Sequence, residues 1–204
     1  MITNESNRRQ RPLLSYLISA TDTNVAKASA CAIRSACANL VPMIAAIRSG
    51  RTDLKKKLPA VCWAAYFKDG LRHAESAEPT GLAYIDIDHV YDNLVKLSQV
   101  KPCPESEALN MKIRGVYART LYGQLFSGFE EDLGIVHAQI SPSGDGLHIV
   151  FIPRVGNSIE EAQKAFAEDS GLQFYDAQCK DIGRLLFLSS AQDTLFDALD
   201  TLAE

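Results

Sequence analysis

No stretch of this sequence reaches the roughly 18 consecutive apolar residues that a membrane-crossing helix needs, so neither a spanning helix nor a membrane partner is expected. The N-terminus carries Arg8, Arg9 and Arg11 but no apolar segment of signal-peptide type behind them, and the expected location is cytoplasmic. Cysteine is present without pattern. Cys31, Cys37, Cys62, Cys103 and Cys179 include no Cys-x-x-Cys pair and no His at a zinc-like offset. That sets zinc modules aside and points to reduced, mostly buried thiols. An excess of positive charge is missing too, with a net charge of -4. A domain that held duplex DNA by charge alone would be basic, so any nucleic-acid contact must be local. A P-loop, a dinucleotide fingerprint and a nucleophile elbow are also absent, which weakens kinase, dehydrogenase and hydrolase readings.

What is present is an ordinary globular composition, 47% hydrophobic over 204 residues, enough for one large domain or two small lobes. Residues 1–12 are polar and read as a flexible N-terminus, leaving 13–204 as the domain. Leu13 to Ser19 reads as a first strand. A helix is expected from Asp22 or Thr23 to about Arg48, kinked at Pro42 and ended by Ser49-Gly50. A strand follows at Ala60–Phe67, with Trp63 and Phe67 as core. Residues 68–80 read as a loop or hairpin connection. Gly81–Val90 is the clearest strand, and helices are expected at about 91–99 and 106–128. Ile135–Ile140 and Leu147–Ile152 alternate like strands and are joined by Ser-Pro-Ser-Gly-Asp-Gly. Ser158, with Glu161 in capping-box position, starts a helix to about 169. Asp181–Ser189 reads as a last strand and 193–203 as a short closing helix. This order predicts an α+β fold with a largely antiparallel sheet.

Three segments carry chemistry. In Tyr84-Ile85-Asp86-Ile87-Asp88, strand alternation projects Asp86 and Asp88 to one face and Ile85 and Ile87 to the other. Two carboxylates this close resist joint ionisation, and a hard divalent cation such as Mg²⁺ or Mn²⁺ removes that penalty. In Ser141-Pro142-Ser143-Gly144-Asp145-Gly146-Leu147-His148, the glycines permit a backbone whose N–H groups converge on an anion, with Ser143 and His148 adding side-chain hydrogen bonds. A tight hairpin with an incidental His is the plainer alternative. In Cys179-Lys180-Asp181-Ile182-Gly183-Arg184, Asp181 is a candidate third carboxylate, and Lys180 and Arg184 are candidate phosphate cations. Alternation would turn Arg184 away from Asp181, which ranks it below Lys180. Lys55, Lys56 and Lys57 read most simply as a solvated face, and His89 as structural or surface.

Together the three segments resemble the three-motif signature of the archaeo-eukaryotic primase superfamily. The closer likeness is to its bacterial primase-polymerase relatives, in particular the VirE N-terminal-like domain. Arg48-Ser49-Gly50, Lys56-Lys57-Leu58-Pro59-Ala60 and Thr80-Gly81-Leu82 are similar to that family's approach to the first motif, and the likeness covers about residues 45–190. It implies an RRM-like, mostly antiparallel sheet packed with helices, beside a smaller N-terminal α/β unit. It further implies a nucleotidyltransferase that adds nucleotides to a primer or dinucleotide on a single-stranded DNA template, with a helicase on another domain or chain, in mobile-element replication. Asp86, Asp88 and Asp181 would hold Mg²⁺ or Mn²⁺. Ser143, Gly144, Gly146, His148, Lys180 and Arg184 would meet the nucleoside triphosphate. Two features depart from the family: the long helical stretch at 91–130, and Ser189-Ser190-Ala191-Gln192-Asp193 where an Asp-Pro is expected. The alternatives are an inactive nucleotide- or nucleic-acid-binding domain and a metal-dependent nuclease.

Overall fold

The computed structural model of the chain describes residues 14–102, 107–154, 156 and 158–203, with the backbone alone at 107–112 and 203. The expected flexible N-terminus, residues 1–12, lies outside the described residues. Strand β1 (Leu14–Leu17) turns back into β2 (Ala26–Ala28). The helix expected from residue 22 therefore starts later. Ser29 caps α1 (Ala30–Asn39) by accepting from the Ala32 N–H at 3.1 Å, and residues 22–28 belong instead to the hairpin that pairs with β1. Pro42 acts as anticipated: α2 (Val41–Arg48) begins around it, where its missing N–H costs nothing. The two helices meet at a 55° bend, and no single described helix is long and apolar enough to cross a membrane.

A 3-10 turn at Thr52–Lys57 leads into β3 (Ala60–Cys62), then β4 (Ala65–Phe67), which pairs with β5 (Ala77–Pro79). Strand β6 (Ala83–Ile87) runs into α3 (Val90–Lys96), followed by α4 (Glu107–Leu125). The hairpin β7 (Ile135–Ile140) and β8 (Leu147–Phe151) lies where the alternation placed it. Helix α5 (Ile159–Ser170) follows. The last expected strand is only β9 (Leu185–Phe187), because residues 181–184 form a turn. The closing helix is also corrected: β10 (Thr194–Asp197) pairs with the edge of β7, and a short 3-10 stretch at Leu199–Ala203 follows.

Two four-stranded sheets result, ordered β2-β1-β3-β9 and β10-β7-β8-β6. All their strand pairs are antiparallel, so the α+β class with antiparallel sheets holds. Register sorts the second sheet's two faces. Ala83, Ile85 and Ile87 align with Phe151, Ile149 and Leu147 on β8, and this apolar face takes the helices: Phe151 stacks on Phe166 of α5 at 4.3 Å. The opposite face presents Tyr84, Asp86, His148, Val150, Gln139 and His137. It meets the first sheet's side of the molecule, where Trp63 stacks on His137 at 5.3 Å and the Phe187 carbonyl accepts from Gln139 at 2.6 Å.

Helix α5 depends on its cap as its sequence implies. Ser158 Oγ accepts from the Glu161 N–H at 3.2 Å, and Gly171 closes the other end at φ +72°. Ser158→Ala is expected to cost about 1 kcal/mol, read as a lower urea midpoint with unchanged slope.

Candidate functional site

Asp86 and His148 are register partners on β6 and β8, and Gln139 is the partner of His148 on β7. The three side chains form a row across the sheet. His148 Nε2 stands 3.7 Å from Asp86 Oδ1, too far for a hydrogen bond. Asp86 Oδ1 is buried and has no hydrogen-bond partner among the described residues. A buried carboxylate oxygen without a donor is costly and needs a reason.

Gln139 fixes the imidazole. Its Oε1 accepts from the Ser189 N–H at 3.2 Å and its Nε2 donates to the Phe187 carbonyl, so the amide has one orientation. The same Nε2 lies 3.0 Å from His148 Nδ1. Nδ1 is then the acceptor, and Nε2 carries the proton that faces Asp86. Burial pulls His148 down to about 4, against the attraction of Asp88, so the ring is neutral near pH 7. An imidazolium meeting phosphate is therefore not what this site offers at rest; it offers one neutral N–H.

Asp86 is only 8% exposed. Burial first, then the charge of Asp176, push its carboxyl up to about 6, while Arg184 and Lys55 pull the other way. Asp88 is half-buried at the end of β6 and is also raised, by burial and then by Asp86. Burial is thus the larger cause for both acids; Asp86 raises Asp88 as paired acids should, while the acid that acts on Asp86 is Asp176.

The third acid is placed differently. Asp181 is exposed in the 181–184 turn, where the Arg184 N–H donates to its carbonyl at 3.2 Å. Tyr84 Oη donates to the same carbonyl at 2.8 Å. Among the described residues, the acids, histidines and cysteines whose ligand atoms gather in a group of three or more within 4.8 Å of one another are His89, Asp92 and Asp145, a group that could hold a metal ion. Asp181 forms no such group with Asp86 and Asp88. The carboxylate beside Asp86 is Asp176, which the sequence reading did not single out. Its N–H donates to the Asp86 carbonyl at 2.8 Å, continuing along the free edge of β6.

The cations also exchange roles. Lys180 pairs with Glu160 on α5 at 3.0 Å, both exposed. Arg184 acts on both Asp86 and Asp176. Arg184 precedes β9 instead of lying within a strand begun at Asp181, so strand alternation does not set its direction. Lys55, on the 3-10 turn, is half-buried with its Nζ 5.6 Å from the Phe187 ring centre, and its charge reaches Asp86, Asp88 and His148.

The glycine turn is packed, not open. Gly144 has φ +84°, its N–H donates to the Ser141 carbonyl at 2.8 Å, and a Cβ there would meet Arg48 Nε at 3.0 Å. At Gly146 a Cβ would lie 2.7 Å from the Ile87 carbonyl and 3.4 Å from Asp88 Oδ1. The second glycine thus lets the turn close onto Asp88. Arg48 fastens the turn from α2 through the Ser141 and Pro142 carbonyls, while also pairing with buried Asp193 at 2.9 Å. Arg114 fastens it from α4 by bridging Asp145 and Asp92, each at 2.8 Å. Ser143 is the half-exposed member at the lip. The plainer hairpin reading accounts for Gly144 and Gly146, and the anion-cradle role narrows to Ser143.

His89, beside this turn, holds a left-handed backbone at φ +51°, and its ring lies 3.4 Å from Asp145. Because Arg114 already bridges both acids of the His89, Asp92 and Asp145 group, a cation there would compete with a guanidinium. Neither family models, curated proteins nor solved structures yield a match to this chain.

Proposed function

We propose that this chain is a metal-dependent nucleotidyltransferase of the primase-polymerase kind. The observation that supports it best is the meeting of Asp86 and His148 across adjacent strands, with Asp88 two residues on and Asp86 Oδ1 buried without a donor. The motif resemblance implies that the acids of the first segment and His148 face one nucleotide, with Asp181 as a third metal ligand that does not gather with Asp86 and Asp88 here. An orphaned oxygen on a strained pair of acids fits a hard divalent cation, Mg²⁺ or Mn²⁺, on Asp86 and Asp88. Such a cation, when bound, supplies charge neutralisation for an attacking 3′-hydroxyl and a leaving pyrophosphate.

The chain's own groups then divide the work. His148 donates its Nε2 proton to a phosphate oxygen, held at a fixed angle by Gln139. Lys55 and Arg184, which approach the acids from the 3-10 turn and the 181–184 turn, balance the triphosphate's charge. Ser143 adds a hydroxyl from the lip of the hairpin. Lys180, held by Glu160, has a minor part.

The test is labelled-nucleotide incorporation on primed and unprimed single-stranded DNA with Mn²⁺. Wild type is expected to incorporate and Asp86→Asn to fail. Arg184→Ala is expected to raise the KM for nucleotide about tenfold, the size of one lost charge-assisted contact, while Lys180→Ala stays within about twofold of wild type, as a surface ion pair implies. A wild-type protein that binds neither Mn²⁺ nor nucleotide would sink the proposal. The packed glycine turn favours one rival, a nucleotide-binding domain without catalysis, for which binding would persist without incorporation. Cleavage of single-stranded DNA with no nucleotide added would instead identify a nuclease.

A further inference from the structure

A cavity of about 280 Å³ opens where β4 leaves the first sheet, walled by residues 25–27, by Tyr66 and Phe67 of β4, and by the loop at 68–70. The walls are tied together. The Phe67 N–H donates to buried Ser15 Oγ at 3.2 Å, and the Val25 N–H to the Gly70 carbonyl at 2.9 Å. Tyr66 is half-buried, and Lys27 Nζ stands 6.0 Å from its ring centre. That is the outer limit of a cation–π contact, so the ammonium covers the ring loosely and a flat π-system can replace it. The charges at the rim divide. Lys68 is engaged by Glu78, and Asp69 accepts from the Leu71 N–H at 3.0 Å. Exposed Lys27 has no ion pair among the described residues.

The cavity is connected to the candidate site. Phe67 lines it and also backs the 181–184 turn, since a Cβ on Gly183 would lie 3.9 Å from Phe67 Cζ. Arg72, exposed and two residues beyond Gly70, donates from Nε to the Gly183 carbonyl at 3.1 Å. The next residue is Arg184, whose charge acts on Asp86. From this arrangement we infer that the cavity is a base-stacking subsite for a single-stranded nucleic acid, with one base on Tyr66 and the strand's phosphates on Lys27 and Arg72 as it runs toward Arg184. Sites for drug-sized ligands begin near about 300 Å³, so this one takes a single ring system and not a whole nucleoside triphosphate. A ring face beside cations accepts any base, because every base has a π-face. At a net charge of -4 the chain has no broad basic surface, and a few local cations with stacking are what remains to hold a strand. The choice of ligand rests on the proposed function, in which this strand is the template.

The test is fluorescence anisotropy of a labelled single-stranded DNA of about 12 nucleotides, within the span of such grooves, titrated with the full chain. Mn²⁺-dependent nucleotide binding is measured beside it. Tyr66→Leu is expected to weaken the strand about tenfold, and Tyr66→Phe, which keeps the ring, to stay within about twofold of wild type. Lys27→Gln is expected to reduce the slope of log affinity against log salt by about 0.7, the share of one phosphate contact. Nucleotide binding should be unchanged in all three variants. Equal strand affinity in Tyr66→Leu and wild type, an unchanged salt slope in Lys27→Gln, or a wild type that binds no strand overturns the inference. Lys27 is exposed, so its variant decides the matter even if Tyr66→Leu folds poorly. Nucleotide incorporation with a strand affinity indifferent to Tyr66 sinks this subsite and leaves the polymerase proposal standing. Strand binding that needs Tyr66, without any nucleotide binding, does the reverse.

Discussion

Asp86→Asn is expected to yield a protein that is harder to unfold and that, on the proposed function, no longer takes up a divalent cation. Both results follow from one carboxylate. Burial and the neighbouring Asp176 raise its pKa from 3.8 to about 6, a shift of roughly two units, or about 3 kcal/mol. The sign is unfavourable to the fold. An acid whose folded value is raised binds its proton more tightly when folded, so the penalty is complete above pH 6 and vanishes below about pH 4. Asparagine keeps the shape and drops the charge. It leaves one oxygen without a donor, so the net gain should be smaller than the gross figure, about 1–2 kcal/mol at pH 7.5. Denaturant midpoints at pH 7.5 and pH 4.5 check this: the gain should be present at the first and nearly gone at the second. Calorimetry at pH 7.5 should show Mn²⁺ affinity reduced by about 100-fold or more, the loss expected when a charged ligand becomes neutral. A variant destabilised equally at both pH values would mean the carboxylate is not strained, and unchanged Mn²⁺ affinity would move the cation elsewhere. Stability set aside at a buried acid is what the proposed metal-binding role of Asp86 would require.

The same residue shows which parts of the site could be found from sequence. Asp86, Asp88 and His148 were legible because strand alternation and a short hairpin loop are local signals. Once β7 and β8 pair through residues 141–146, and β6 adds beside β8, the register brings Asp86 opposite His148. Helix α5 was legible to within a residue from its Ser158 cap. Other parts depend on partners far away in the chain. Ala26–Ala28 becomes a strand only because β1 offers an edge, and Thr194–Asp197 only because β7 does. Leu195, Leu199 and Leu202 have helical spacing, and tertiary pairing overrode it. Asp176 and Cys179 reach the site through the free edge of β6, and Gln139 through the backbone at 187–189; no motif marks them. A weak signal did exist for Gln139: with His137 it makes the polar face of a strand whose other positions are apolar, and buried amides usually orient something. Lys180 and Arg184 exchanged importance because a turn of four residues occupies the expected start of a strand, and local alternation says nothing about such a turn.

His137 carries the other large expectation, which concerns acid. It is 2% exposed on β7, stacked on Trp63, and neither ring nitrogen has a hydrogen-bond partner among the described residues. Burial lowers its pKa from 6.5 to about 4; the facing Asp197 and the nearby Gln139 side chain, which is outside good hydrogen-bond geometry, raise it, and His148 and Arg34 lower it. A base with a depressed folded value is neutral in the fold while the unfolded chain takes up a proton below pH 6.5. Its contribution is therefore intact above pH 6.5 and is lost as the pH falls toward 4. The full loss is about 3 kcal/mol, and about 2 kcal/mol has gone by pH 5. His148 adds a loss of the same sign, and Asp86 opposes both, so the wild-type curve alone does not isolate any one group. His137→Phe does, because it keeps a ring against Trp63, removes two unpaired nitrogens, and leaves the other titrating residues in place. The difference in unfolding free energy between variant and wild type should grow by about 2 kcal/mol between pH 7 and pH 5 in favour of the variant. A constant difference across that range would show that the imidazole titrates as it does in water. The stack on Trp63 would then be opening to admit solvent, and the polar face that carries Asp86 and His148 would be wetter than its geometry implies.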